Sequence, residues 1–185
     1  GRRQTLWELG ESYNLIGQLH RLRVGSNSPL AGRTVAEAQL RSRHGVTLVS
    51  VERQRRFGDK VVPALATTEL HAGDIFYLVG PTDAAEAVIA AERLDRLPIE
   101  DNQWQGLVKE LGMVEVLLPP DSELVGQTLR QATFRSRHGL SVLGIRRRGQ
   151  PLPGNLSDEK LAVSDVLLVA GSWKQIGLLQ DDRQH

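Results

Sequence analysis

Residues 28–54 read SPLAGRTVAEAQLRSRHGVTLVSVERQ, and residues 122–148 read SELVGQTLRQATFRSRHGLSVLGIRRR. The stretch Arg41-Ser42-Arg43-His44-Gly45 returns letter for letter as Arg135-Ser136-Arg137-His138-Gly139, 94 positions later. Ser, Leu, Gly, Thr and a later arginine (Arg53 and Arg147) keep the same offset. Between them apolar residues replace apolar ones, as with Val51 and Ile145. A gapless match of this length within 185 residues is the mark of an internal duplication. Further on, Val62-Pro63 is answered by Leu152-Pro153, and AGDIFYLVG (72–80) by VSDVLLVAG (163–171), so the intervening turn is about four residues shorter in the second copy.

Each copy predicts the same plan. A short alternating strand comes first, LHRLRV from Leu19 and VEVLLP from Val114. Thr34 with Glu37, and Thr128 with Gln131, then form the Thr-x-x-Glu/Gln pattern that opens a capped helix. A longer strand is expected at 46–53 and 140–147, followed by a short proline-bearing strand at a sheet edge, where a missing N–H does least harm. The apolar runs after Asp74 and Asp165 read as buried strands, and TDAAEAVIAAERL from Thr82 reads as a helix. The expected class is α+β, two tandem copies of a small domain with about four strands and two helices each. The divisions are a lead-in helix over 1–18, repeat one over 19–97, a linker over 98–112 and repeat two over 113–185. That linker lacks the Gly/Ser bias of a free tether, so Trp104 and Leu107 are expected to dock on one of the copies.

The totals exclude several classes. A net charge of +1, with 40% apolar and 24% charged residues, lacks the cation excess that drives general nucleic-acid binding. Aromatics at 4% leave few platforms for stacked bases, so no nucleic-acid partner is expected. There is no cysteine, hence no disulfide framework. The longest apolar candidate, LAVSDVLLVA, carries Asp165, and no membrane span or signal peptide is expected. No serine or cysteine nucleophile has a partner histidine in a recognised setting, so no catalytic residue and no enzyme activity is expected. Asp74 and Asp165 read as turn formers. The five histidines show no ligand spacing, so no metal is expected.

The repeated pentapeptide admits two readings. In one it closes the capped helix: Gly45 and Gly139 supply a left-handed terminus, and the cations sit at the negative end of the helix dipole. In the other it is an anion site. Arginines two apart do not share a helix face, but at a fraying end they can converge on a phosphate or carboxylate. The candidate ligand residues are Arg41, Arg43, His44, Arg135, Arg137 and His138, with Pro63 and Pro153 as apolar walls for a nucleobase. The run Arg146–Arg148 reads as a solvated hairpin tip, or as a contact for anionic headgroups.

The combination of Ser-x-Leu-x-Gly-x-Thr, a short helix ending in basic residues and Gly, a hairpin, a proline and Gly73-Asp74 before an apolar strand resembles the TrkA-C (RCK-C) domain. Copy two departs at one point, with Ser164-Asp165 in place of Gly-Asp. The resemblance implies a regulatory module, not an enzyme. Two adjacent copies with no Gly-x-Gly-x-x-Gly half are similar to the cytosolic loop of bacterial divalent-anion/sodium symporters, which move sulfate or dicarboxylates; aspartate/alanine exchangers carry similar tandems. It implies a segment on the cytoplasmic side of the membrane, with membrane helices of the parent on both sides and a homodimeric assembly. It also implies a possible small anionic or nucleotide ligand, such as cyclic di-adenosine monophosphate, at the junction of paired modules, and no fixed cofactor. Two alternatives stand beside it, a regulatory domain of a potassium uptake or channel system and a purely structural dimerisation module.

Overall fold

The computed structural model describes residues 6–15, 17–100 and 111–183. A lead-in helix α1 (Leu6–Ser12) precedes the first copy, which holds β1 (Leu19–Val24), α2 (Val35–Ala38), α3 (Leu40–His44), β2 (Thr47–Arg53), β3 (Lys60–Val62), β4 (Ile75–Val79), α4 (Thr82–Glu92) and β5 (Leu94–Leu97). The second copy holds β6 (Gly112–Leu117), α5 (Leu129–Ala132), α6 (Phe134–His138), β7 (Ser141–Arg147), β8 (Gln150–Pro151), β9 (Val166–Gly171) and α7 (Trp173–Arg183).

Both sheets are antiparallel. The first runs β3-β2-β4-β1-β5 and the second β6-β9-β7-β8, which is the same order read from the other side once β5 is set aside. Short β3, which stops just before Pro63, and β8, which ends on Pro151, lie at the sheet edges, where a missing N–H does least harm. The duplication extends to an irregularity: the pairing register slips between Leu48 and Ser50 in β2 and between Val142 and Gly144 in β7, at equivalent positions. A bulge takes one residue out of the ladder and leaves local main-chain groups unpaired.

β4 is buried along its whole length because its two faces serve different cores. Phe76 and Leu78 point into a cluster with Leu22, Leu30, Leu40 and Val51, internal to copy one. Ile75, Tyr77 and Val79 point the other way, into a cluster shared with Leu143, Leu168 and Ala170 of copy two and with Leu9 and Tyr13 of α1. β9 alternates likewise, Leu167 and Val169 inward and Leu168 and Ala170 toward copy one. The copies are therefore joined by a common apolar core, with α1 packed into it. Each fully buried side chain of this size contributes about 1.5–3 kcal/mol.

Three features differ from the sequence expectation. The capped helix does not run on into the basic pentapeptide. Gln39 (φ 50) and Thr133 (φ 48) adopt left-handed backbone and break it into two short helices in each copy. Copy one also gains a fifth strand: after Arg93 (φ 53) closes α4, Leu94–Leu97 turns back and pairs with β1. Of the run Arg146–Arg148, only Arg148 is a solvated tip. Arg146 lies over the Tyr13 ring at 5.6 Å, and Arg147 is ion-paired. Trp104 and Leu107, expected to dock on one of the copies, fall outside the described residues.

Candidate functional site

Each basic helix is aimed by its own local signals. Thr34 Oγ1 accepts from Glu37 N at 3.2 Å while Glu37 Oε1 accepts from Thr34 N at 2.9 Å, and Thr128 with Gln131 repeats this at 3.1 and 2.9 Å. These boxes satisfy two orphan donors and fix where α2 and α5 begin. The left-handed residue that follows redirects the chain, and α3 and α6 are anchored by buried Leu40 and Phe134. Gly45 (φ 72) and Gly139 (φ 67) close them, donating to Arg41 O and Arg135 O at 2.9 Å each.

The break at Gln39 and Thr133 decides where the first arginine of each pentapeptide points. Both cross to the other copy. Arg41 Nη2 donates to Val142 O at 2.6 Å, and Arg135 Nη2 donates to Leu48 O at 2.7 Å. Arg135 Nη1 also donates to Ala64 O, and Ser141 Oγ donates to Leu48 O at 3.1 Å. Leu48 and Val142 stand at the two bulges, so the acceptors are carbonyls beside a break in the ladder. The docking is reciprocal: arginine of copy one on the bulge of copy two, and the reverse. Burial pushes the Arg41 guanidinium down to about 10. Burial, and then the charge of Arg41, does the same to Arg135, also to about 10. Among the described residues, neither guanidinium has an ion-pair partner.

The remaining basic residues are not equivalent. In copy one, Arg43 Nη2 and His44 Nε2 both reach Glu92 Oε1, at 3.0 and 3.3 Å, and Glu92 is buried at the end of α4. Arg43 Nη1 also donates to Ala38 O at 3.3 Å. In copy two, Arg137 is exposed and His138 lies 5.7 Å from the Phe134 ring. Counting from Gly80 and Gly171, the residue that answers Glu92 is Arg183.

A cleft of about 290 Å³ opens between the four short helices, and both copies line it. Leu40, Leu48, Phe134 and Val142 give it apolar walls, and Arg41 and Arg135 its charge. Ser157 also lines it; the residue is buried and its Oγ has no hydrogen-bond partner. Such an atom carries an uncompensated desolvation cost, and a polar ligand would relieve it. Arg43, His44, Arg137, His138, Pro63 and Pro153 are not among the lining residues. Pro63 instead accepts from Thr68 Oγ1 at 2.7 Å, within its turn.

Sequence reasoning missed two kinds of residue. Ser157 lies outside the matched blocks and left no signal. The pairs Arg53–Asp74 and Arg147–Asp165 did leave one, because both members recur in both copies. Arg53 grips Asp74 through Nε and Nη2 at 3.0 and 2.9 Å, and Arg147 grips Asp165 at 2.9 Å twice. The aspartates also accept from His71 N and Ala162 N, at 2.8 Å each, so they do form turns. No cluster of potential metal ligands occurs among the described residues, and no described helix is long and apolar enough to cross a membrane.

The family profile described as TrkA-C domain matches twice, over residues 19–92 and 113–182. The Uncharacterized transporter YfbS of Escherichia coli is 35% identical over 179 residues, which is 96% of this chain and 29% of that protein. The Probable sodium/sulfate cotransporter 3 of Chlamydomonas reinhardtii is 28% identical over 165 residues, 80% of this chain and 18% of that protein. The chain thus spans less than a third of the length of either relative. Among solved structures, the GsuK RCK domain covers 91% of this chain and 64% of its own at 13% identity, with a TM-score of 0.35.

Proposed function

Because this chain belongs to the TrkA-C domain family, in two tandem copies, we propose that it is the ligand-sensing, regulatory segment of a membrane ion transporter and performs no chemistry itself. The observation that carries the reading is the pair of inward guanidiniums. Arg41 and Arg135 are two like charges, desolvated, close enough that Arg41 depresses Arg135, and held by neutral carbonyls. Buried cations in this state are costly. A phosphate or carboxylate in the cleft would replace carbonyl acceptors with charge-assisted ones and offset the repulsion.

The ligand in this reading is a small anion, of the size of a dicarboxylate, sulfate or a nucleotide. Its effect on the parent requires that it bind one arrangement of the two copies better than another. The reciprocal arginine contacts supply such an arrangement, since a ligand that draws either guanidinium off its carbonyl loosens one copy from the other. The similarity to a sodium/sulfate cotransporter supports a sodium-coupled divalent-anion permease as the parent. In that case the segment lies on the cytoplasmic side, bears on the membrane-embedded part and pairs with a second copy of itself.

Two measurements test this. Calorimetry and thermal shift on the chain with sulfate, dicarboxylates, mononucleotides and cyclic dinucleotides should give heat for one class, and Arg41→Gln or Arg135→Gln should abolish it. Uptake of labelled sulfate by the full-length parent should change in the same variants. No heat from any of these anions removes the sensing role, and unchanged uptake of sulfate and of dicarboxylates removes the permease.

A further inference from the structure

The turn from β2 to β3 is longer than its duplicate has any need to be. Six residues, Gln54–Asp59, join β2 to β3, where two, Arg148 and Gly149, join β7 to β8. The added length carries Arg55, Arg56 and Phe57, followed by Lys60, all exposed. Phe57 is 92% exposed, the most exposed of the large apolar side chains described. Arg56 Cζ lies 5.8 Å from the centre of its ring. The acidic groups close by are Asp59, at the end of the turn, and Glu52 on β2. Burial raises the Glu52 carboxyl, with Arg21 lowering it and Asp59 raising it again, so the Glu52 and Asp59 carboxylates engage each other.

An aromatic ring held in water against one arginine, on a tip that carries two further exposed cations, makes no contribution to the core. It matches the chemistry of a bilayer interface, where the ring sits among headgroups and the cations meet anionic phosphates. We infer that the β2–β3 tip is a finger that docks on an anionic lipid surface, with Phe57 entering the interface and Arg55, Arg56 and Lys60 held at the phosphates. The inference rests on the transporter reading, which supplies a bilayer within reach. The finger would fix the orientation of copy one toward the membrane and, through the shared core, that of copy two with it.

Vesicle flotation of the chain tests the finger with no transport step, so its failure is separable from failure of the transporter reading. The probes are vesicles of phosphatidylcholine alone and of an equal mixture of phosphatidylcholine and phosphatidylglycerol, at low salt. The chain should float with the mixed vesicles and not with the neutral ones. Arg55→Gln and Arg56→Gln should each weaken partitioning by roughly fivefold, the size expected for one surface cation. Phe57→Ser should weaken it further, while Arg148→Gln on the other hairpin should leave it unchanged. Circular dichroism should show all four variants folded, because these side chains are exposed. Absence of flotation, equal flotation with neutral vesicles, or Arg148→Gln matching the finger variants would each overturn the proposal.

Discussion

Replacing Asp165 by alanine should unfold this protein at much lower denaturant. Asp165 is fully buried and accepts three hydrogen bonds, two from Arg147 and one from Ala162 N. Removing one member of a buried ion pair costs about 3–5 kcal/mol, because the other is left uncompensated. Arg147 is only partly stranded: its side chain is 29% exposed, and it keeps Glu159 Oε1 at 2.8 Å and Lys160 O at 2.9 Å. The cost should therefore fall near the lower end, about 3 kcal/mol. At this chain length that is a drop of about 6–12 °C in Tm. Asp74→Ala is the internal comparison. Arg53 would retain one hydrogen bond, to Glu69 O, and the weaker pull of the Glu69 charge, so the loss there should be the larger, near about 4 kcal/mol. Urea unfolding followed by circular dichroism measures both. Arg147→Met with Asp165→Leu should recover most of the loss, since the stranded charge is gone. A cost below about 1 kcal/mol for Asp165→Ala, the worth of a surface pair, would refute the reasoning. So would a double variant as unstable as the single one.

Acid should act through the same residue. Burial alone would raise the Asp165 carboxyl, but the hydrogen bonds from Arg147 and Ala162 and the Arg147 charge outweigh it and hold it below 3.8. The pair's contribution is then complete above the ordinary carboxylate range and is lost as pH falls below about 3.8 toward the folded value. The wild type should lose stability across that window, and Asp165→Ala should show a flatter acid limb. Gly139→Ala should cost about 1–2 kcal/mol for its left-handed backbone, and more because the new Cβ would lie 2.7 Å from Leu65 Cδ2. Gly126→Ala (φ +89), with nothing within 4 Å, should show the backbone cost alone, and equal losses would discount the contact. Burial raises both tyrosines of the chain, with Glu115 adding to it at Tyr13. Ultraviolet titration should show little phenolate at pH 10 until the protein unfolds, and ordinary titration of the folded chain would contradict this.

The elements that were legible in the sequence are those whose signal is local. The capping boxes at Thr34 and Thr128, the glycine termini and the edge prolines each reflect a contact within a few residues. β4 and β9 read as buried from their unbroken apolar runs, although the reason, a second core shared with the other copy, could not be read. The break at Gln39 and Thr133 was hidden because neither residue is glycine, and the apolar spacing continues across it. β5 was hidden because Leu94-Asp95-Arg96-Leu97 is too short and polar to announce a strand. It forms because β1 offers it an edge. The candidate site was half legible. Repetition flagged the arginines, but their acceptors are main-chain carbonyls, which leave no mark in composition. Ser157 enters only through the tertiary fold.

The shared apolar core and the crossed arginines place both halves of the cleft on one polypeptide. Partners that must find each other in solution separate on dilution, and their response then depends on how much protein the cell holds. Here both halves belong to one chain at a fixed local concentration, so any rearrangement of the cleft is a first-order event. In the proposed sensing role, its midpoint for a ligand should stay constant from scarce to abundant expression, a property suited to a protein present at few copies per cell.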